Sequence, residues 1–205
     1  TERVVIPPAD QLEVVDRKKP TGPPSRYRPF RPDKNGVAPM ATFGAGYRIH
    51  VTGLTHDERG YPVMNEIAQQ QLVDRLVQKI RKNVDKIIRY DSVMLDDAEV
   101  AVVAYGISAR SAKRAVAEAR AQGIKAGLLK LETIWPFPEK VVRDLAGRVR
   151  GLVVAEINYG QMVLEVERCV AGLSPVRLVR HAGGAIIRPD AILEALQQLS
   201  RGVTV

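Results

Sequence analysis

Three stretches of this 205-residue sequence bring side chains capable of chemistry close together. The first is the loop Thr55-His56-Asp57-Glu58-Arg59-Gly60, an imidazole beside two carboxylates. His with Asp and Glu can ligate a metal or orient a general base. Adjacent loop residues rarely converge on one point, however, and Gly60-Tyr61-Pro62 marks a turn, so His56, Asp57 and Glu58 read first as residues of a structural or interface loop. The second stretch places Ser108 and Arg110 at the start of a predicted helix, where a hydroxyl and a guanidinium suit an anion. Ser108 reads first as a helix N-cap. The third is Glu156-Ile157-Asn158-Tyr159-Gly160-Gln161, a carboxylate followed by amide and phenol groups at the end of a predicted strand. Ligands of open α/β sheets gather at such ends. Glu156 there reads as a cofactor contact, and Asn158, Tyr159 and Gln161 read equally as a polar subunit interface.

Other chemistries lack their residues. The turn at Gly106 has one glycine where the dinucleotide fingerprint GxGxxG needs three. The sequence has no GxxxxGK[ST], no GxSxG and no HExxH. His50, His56 and His181 are not spaced to hold a metal from one element. The single cysteine, Cys169, excludes an internal disulfide and fits a reducing compartment. One thiolate also cannot hold an iron–sulfur cluster, which takes about four. Cys169 reads as a buried small apolar residue, and Trp135, followed by Pro136 and Pro138, as a corner packed under a sheet.

The elements that position these residues are organised around Ala98 to Gly123, AEVAVVAYGISARSAKRAVAEARAQG. Its apolar run to Tyr105 predicts a strand buried on both faces. A helix follows, closed by Gly123. Strands are predicted again at Ile124–Leu131, Gly151–Glu156 and Val176–Val179, and helices at Glu139–Val149, Gln161–Ala171 and Ile192–Leu199. Strands alternating with helical crossovers build a parallel sheet covered on both faces. Before this α/β domain of residues 91–205, residues 62–89 carry a long apolar stripe including Ile67, Leu72, Leu76, Ile80 and Val84. Residues 44–90 are read as a short strand at Tyr47–Thr52, the polar loop and that long helix. Residues 1–43, with eight prolines, hold neither a helix nor a central strand and form an extended arm or linker. Tyr27 and Phe30 are spaced in it as if pinned to another surface, as are Val4, Val5, Ile6, Val14 and Val15.

The formal charge is +8, and 45% of residues are hydrophobic, ordinary for a globular chain. Cations scattered among acids, with only 5% aromatics, argue against nucleic acid and for an acidic protein partner. No stretch reaches the ~20 apolar residues a membrane span needs. The start TERVVIPPAD lacks a secretory h-region, and without a Met it fits a fragment or a processed chain. A cytoplasmic setting is expected.

Three segments, VVIPPADQLEVVDRKKP, NGVAPM with the later VTGLTHDERGYP, and EINYGQM, resemble the alpha subunit of 2-oxoacid:ferredoxin oxidoreductases, chiefly its 2-oxoglutarate (KorA-type) branch. The portion from about Asp91 also resembles the C-terminal domain of transketolase. That resemblance implies a three-layer α/β/α sandwich with a mainly parallel five-stranded sheet, Ser92–Leu95 forming its antiparallel strand. It further implies oxidative decarboxylation of a 2-oxoacid with coenzyme A and ferredoxin, using thiamine diphosphate, magnesium and an iron–sulfur cluster. The family's YPITPSS-like stretch, expected before the arm, is absent. So is the GDG-containing diphosphate motif, which the resemblance places on a beta subunit. No residue here therefore takes a cofactor role from the family. The resemblance implies an assembly portion completed by an N-terminal alpha domain, a beta subunit and, in some members, gamma and delta subunits. The alternative is a stand-alone module binding coenzyme A or a nucleotide.

Overall fold

The computed structural model describes residues 3–202, so the outermost ends of the arm and of the α/β domain lie outside the described residues. Two compact units meet in sequence between Lys82 and Asn83.

In the first unit, Ala9–Gln11 and Pro24–Arg26 form single 3-10 turns and α1 spans Glu66–Arg81. Its prolines leave residues 20–63 to be organised by aromatic side chains instead of ladders. Tyr27 packs edge-on against Tyr47, its hydroxyl donating to the Pro39 carbonyl at 3.0 Å and accepting from the Ala41 N–H. His50 stacks on Tyr61 at 4.4 Å. The strand expected at Tyr47–Thr52 does not form. Its alternating pattern serves these stacking contacts, and no neighbouring segment offers it a ladder. The long helix expected over 62–89 is also divided. Pro62 is held in a bridge to His56, so α1 begins only where the Asn65 side chain accepts from the Ala68 N–H at 2.9 Å. It ends at Arg81, and a separate turn of helix, α2, spans Val84–Ile87. Asn83 between them favours local side-chain bonding over helix continuation. No residue of α1 is buried, and Ile67, Val73 and Leu76 are exposed. Val4, Val5, Ile6, Val14 and Val15 are exposed as well.

The second unit is an α/β/α sandwich. Its strands are β1 (Tyr90–Val93), β2 (Val100–Tyr105), β3 (Ala126–Leu131), β4 (Leu152–Glu156) and β5 (Val176–Arg180). Their order is β1-β3-β2-β4-β5; β1 pairs antiparallel to β3 and all other pairings are parallel. The antiparallel strand thus sits two residues earlier than the Ser92–Leu95 that the resemblance implies. Helices α3 (Gly106–Ala121), α4 (Glu139–Ala146), α5 (Met162–Val170) and α6 (Pro189–Ser200) connect or follow the strands. Period-two alternation sends Val100, Val102 and Ala104 to one face and Ala101 and Val103 to the other. The first face is covered by α3, chiefly through Ala109, Ala112, Ala115 and Ala119, and by α6 through Ile192, Leu196 and Leu199. On the opposite face, Leu129, Leu131 and Leu152 meet Val142, Leu145 and Val166 of α4 and α5. Burying each large aliphatic side chain there contributes about 1.5–3 kcal/mol. Cys169 lies buried in that layer, and burial pushes its thiol above the usual range.

Two local expectations are corrected. Trp135 is not tucked under the sheet but 70% exposed, because Pro136 and Pro138 carry the chain past the end of β3 and Phe137 takes the buried place. Ser108 does not cap α3. Gly106, at φ +53°, turns directly out of β2, so the helix starts two residues before Ser108 with Tyr105 at the N-cap position.

At the far end of α5, Ala171 adopts φ +48°, the left-handed region that favours glycine. Ala171→Gly is expected to raise stability by about 1 kcal/mol in urea unfolding, by relieving this strain. An unchanged or lower midpoint would show that the strain is already offset.

Candidate functional site at the carboxyl ends of the parallel strands

The crossover from β2 leads to β3 on one side, whereas β4 and β5 lie on the other. The crevice between the carboxyl ends of β2 and β4 is therefore the switch point where doubly wound sheets bind ligands. Here it is closed by this chain's own side chains. Tyr105 ends β2, and its hydroxyl accepts from the Asn158 amide at 3.3 Å. Asn158 Oδ1 in turn accepts from the N–H groups of Gly160 and Gln161.

Glu156 ends β4 with 0% exposure. One carboxylate oxygen accepts from the N–H groups of Gln161 (3.2 Å) and Val163 (3.0 Å), and the other from Met162 (2.8 Å). These are among the donors a helix leaves unpaired in its first turn, and the positive end of the α5 dipole favours a carboxylate there. Glu156 is thus an anchor for α5, with both oxygens engaged. Tyr159 is 74% exposed, with the Arg180 guanidinium 5.1 Å above its ring and hydrogen-bonded to its carbonyl. Gln161 contributes its backbone N–H to this turn, not its side chain.

Ser108 and Arg110 are not brought together. Ser108 is buried against the sheet and Arg110 is exposed, as a two-residue separation on a helix dictates. The expected pair of side chains converging on an anion does not form. Sequence reasoning passed over Tyr105 and Arg180. Both are the final residues of parallel strands, and that position was the available signal.

Burial, reinforced by the charge of Glu156, pushes the Tyr105 phenol above its usual value near 10. The folded state then holds its proton where the unfolded chain releases it, so stability declines as pH rises past about 10. Tyr105→Phe is expected to flatten this decline in urea titrations between pH 9 and 11. An unaltered slope would count against the assignment.

The polar loop belongs to the first unit, and its three candidate residues have separate partners. His56 Nδ1 lies 2.9 Å from the Leu54 carbonyl, the geometry of an N–H donor, while its ring packs on Phe30 at 4.2 Å. Asp57 closes the turn by accepting from the N–H groups of Arg59 and Tyr61 and pairs with the Arg59 guanidinium at 2.7 Å. Glu58 pairs with Arg31 at 2.6 Å. Gly60 is required at φ +88°, because a Cβ there would collide with the His50 carbonyl and the Phe30 ring. The loop holds the arm to the turn; it does not present a convergent base or metal set. No group of three or more His, Cys, Asp or Glu among the described residues could hold a metal ion.

Comparison with known proteins agrees with this fold. Residues 98–192 match the pyruvate:ferredoxin oxidoreductase core domain II family. The chain is 45% identical over 196 residues to the 2-oxoglutarate synthase subunit KorA of Methanothermobacter marburgensis, covering 95% of this chain and 52% of that relative. The ketoisovalerate oxidoreductase subunit VorB of Methanothermobacter thermautotrophicus is 40% identical over 113 residues, covering 55% of this chain and 32% of that relative. Among solved structures, the fold is similar to 2-oxoglutarate:ferredoxin oxidoreductase from Magnetococcus marinus, with TM-score 0.79 and 18% identity, covering 95% of this chain and 34% of that one. It also resembles a split-gene transketolase, with TM-score 0.50 and 21% identity over 55% of this chain and 41% of that one. Along nearly its whole length the chain is thus similar to KorA subunits of 2-oxoglutarate synthases, and its α/β portion to the pyruvate:ferredoxin oxidoreductase core domain II family. It spans about half the length of the curated KorA relatives it matches along nearly its whole length.

Proposed function

We propose that this chain is the C-terminal portion of the alpha subunit of a thiamine-diphosphate-dependent 2-oxoacid:ferredoxin oxidoreductase acting on 2-oxoglutarate, and that it supplies assembly, not chemistry. The substrate assignment rests on one contrast. Three KorA subunits match 95–98% of the chain, arm and polar loop included, and a fourth matches 74%, whereas VorB matches only 55%. The assembly role rests on the switch-point crevice, whose polar groups are spent on each other and on the α5 N-terminus.

The residues present do not fit the family's cofactors. Glu156 has no free oxygen to offer magnesium, and the buried Cys169 is the sole thiol. Asp57 and Glu58 are ion-paired, and His56 belongs to no group of three or more metal-ligating side chains among the described residues. Thiamine diphosphate, magnesium and the iron–sulfur cluster accordingly belong to the N-terminal alpha domain and the beta subunit, with gamma and delta subunits where the enzyme has them. Ferredoxin is the electron acceptor of the assembled enzyme. The arm of residues 1–43 and the segment 44–90, rich in exposed apolar side chains, join the α/β domain of residues 91–205 to those parts. No helix among the described residues is long and apolar enough to cross a membrane, in keeping with a cytoplasmic enzyme.

The test is to isolate the native complex through a tag on this chain. With coenzyme A, it should reduce ferredoxin or a viologen at least tenfold faster with 2-oxoglutarate than with 2-oxoisovalerate. The chain by itself should show no turnover. Turnover by the isolated chain, or a complex preferring the branched substrate, would overturn the proposal.

A further inference from the structure

The parallel strands end level with one another. Tyr105 of β2 is in register with Leu131 of β3, and Glu156 of β4 with Arg180 of β5. The four connections leaving this edge each carry exposed apolar side chains. Ile134 and Trp135 follow β3, Ile107 follows β2, Tyr159 follows β4 and Ile186 follows β5. Such a row is out of keeping with loops that only face water.

Charges at both ends of the sheet are largely paired, although Arg148 and Arg201 near the amino ends have no carboxylate partner among the described residues. At the amino ends, Asp97 pairs with Arg120, and Glu99 with Lys125 and Arg150. At the carboxyl ends, the acids of the connections are already committed: Glu132 to Lys130, Glu139 to Arg168, Asp190 to Arg188, and Glu156 to α5. Arg110 and Arg180 have no carboxylate partner among the described residues, Arg180 lying instead over the Tyr159 ring. The apolar row is thus interspersed with uncompensated guanidinium groups.

We infer that this carboxyl-end rim is a docking surface for another subunit of the enzyme, one that presents an apolar patch edged by carboxylates. The inference rests on the assembly role proposed above and names the surface that performs it. A second copy of this chain does not suit the rim. An isologous pairing would lay one rim carrying Arg110 and Arg180 on an identical cationic rim that offers them no free carboxylate, and like charges at an interface are strongly disfavoured. Aromatic and arginine side chains together are also the residue types enriched at protein interfaces.

The experiment uses the native complex and the full chain alone. Hydroxyl-radical footprinting read by mass spectrometry should show labelling of Trp135 and Tyr159 falling at least fivefold in the complex. Leu173, exposed at the opposite edge, should be labelled to a similar extent in both. A photo-crosslinking residue at position 107 should capture an acid-rich segment of a different subunit. Arg110→Glu combined with Arg180→Glu should weaken subunit association at least tenfold, and Lys125→Glu at the other edge should not. Unchanged labelling, capture of a second copy of this chain, or unweakened association would overturn the inference. A complex active on 2-oxoglutarate with an open rim would defeat the docking surface alone. A protected rim in a complex without that activity would defeat only the functional reading.

Discussion

Replacing Glu156 with Ala should lower the stability of the α/β unit by about 3–5 kcal/mol, the range for removing one member of a buried charge-assisted network. The carboxylate is fully enclosed, and three N–H groups of the loop and first turn of α5 converge on it. Alanine leaves the Met162 and Val163 donors facing apolar side chains with no water to replace their acceptor. Gln161 retains Asn158 Oδ1, so the turn is only partly rescued. Glu156→Gln keeps one carbonyl acceptor but aims an NH2 group at the helix, and should fall between wild type and alanine. Domains are held by about 5–15 kcal/mol in all, so the alanine variant should melt at a much lower urea concentration. A loss under about 1 kcal/mol would show that the helix start is held by packing, not by this carboxylate.

Gly127→Val should be comparably severe. Gly127 lies inside β3, paired with Ala101, where a side chain would point at the connection between β1 and β2. A Cβ would come 2.6 Å from Leu95 Cδ2, 2.7 Å from the Met94 carbonyl oxygen and 3.1 Å from Ala98 Cβ. The leucine tip can rotate away, but the Met94 carbonyl is backbone and accepts from Arg120 Nη2 at 2.8 Å. The same guanidinium reaches the Ala126 carbonyl and both oxygens of Asp97, tying the end of α3 to the start of β3. Valine must break part of this arrangement, so the loss should be about 3 kcal/mol or more, at or beyond the usual range for overpacking. Alanine should cost less, with the same sign. Urea midpoints for the two variants decide the matter, and a wild-type value for valine would mean the connection moves freely.

The second unit was legible because strands buried on both faces leave unbroken apolar runs. Val100 to Tyr105 and Leu152 to Glu156 fall where those runs predict. The family resemblance supplied the antiparallel β1, which its polar sequence does not announce. The misplaced elements share a cause, since a periodic pattern does not reveal its partner. Tyr47 to Thr52 alternates because its rings meet Tyr27 and Tyr61, and residues 62–89 keep one stripe although the chain leaves the helix at Lys82. At the candidate site, the sequence located Glu156 and its polar neighbours but not their role. A carboxylate ending a strand looks free until the following helix is seen to begin over it. The Arg120 tie was not legible, since half of its hydrogen bonds go to main-chain carbonyls, which no residue type announces, and Asp97 and Met94 are distant in sequence.

The alanine layer between the sheet and helix α3 sets a gauge. With methyl groups as the spacers at Ala109, Ala112, Ala115 and Ala119, that gap is near the minimum that side chains allow. Any larger residue lifts a whole helix, because a rigid rod cannot yield at one point. Ile107 rides on the first turn of α3, and Ile186 lies just before α6. A single methylene added deep in the layer would therefore tilt the far rim as a lever does. Substitutions with no surface exposure could then change how the subunits fit while leaving the domain folded.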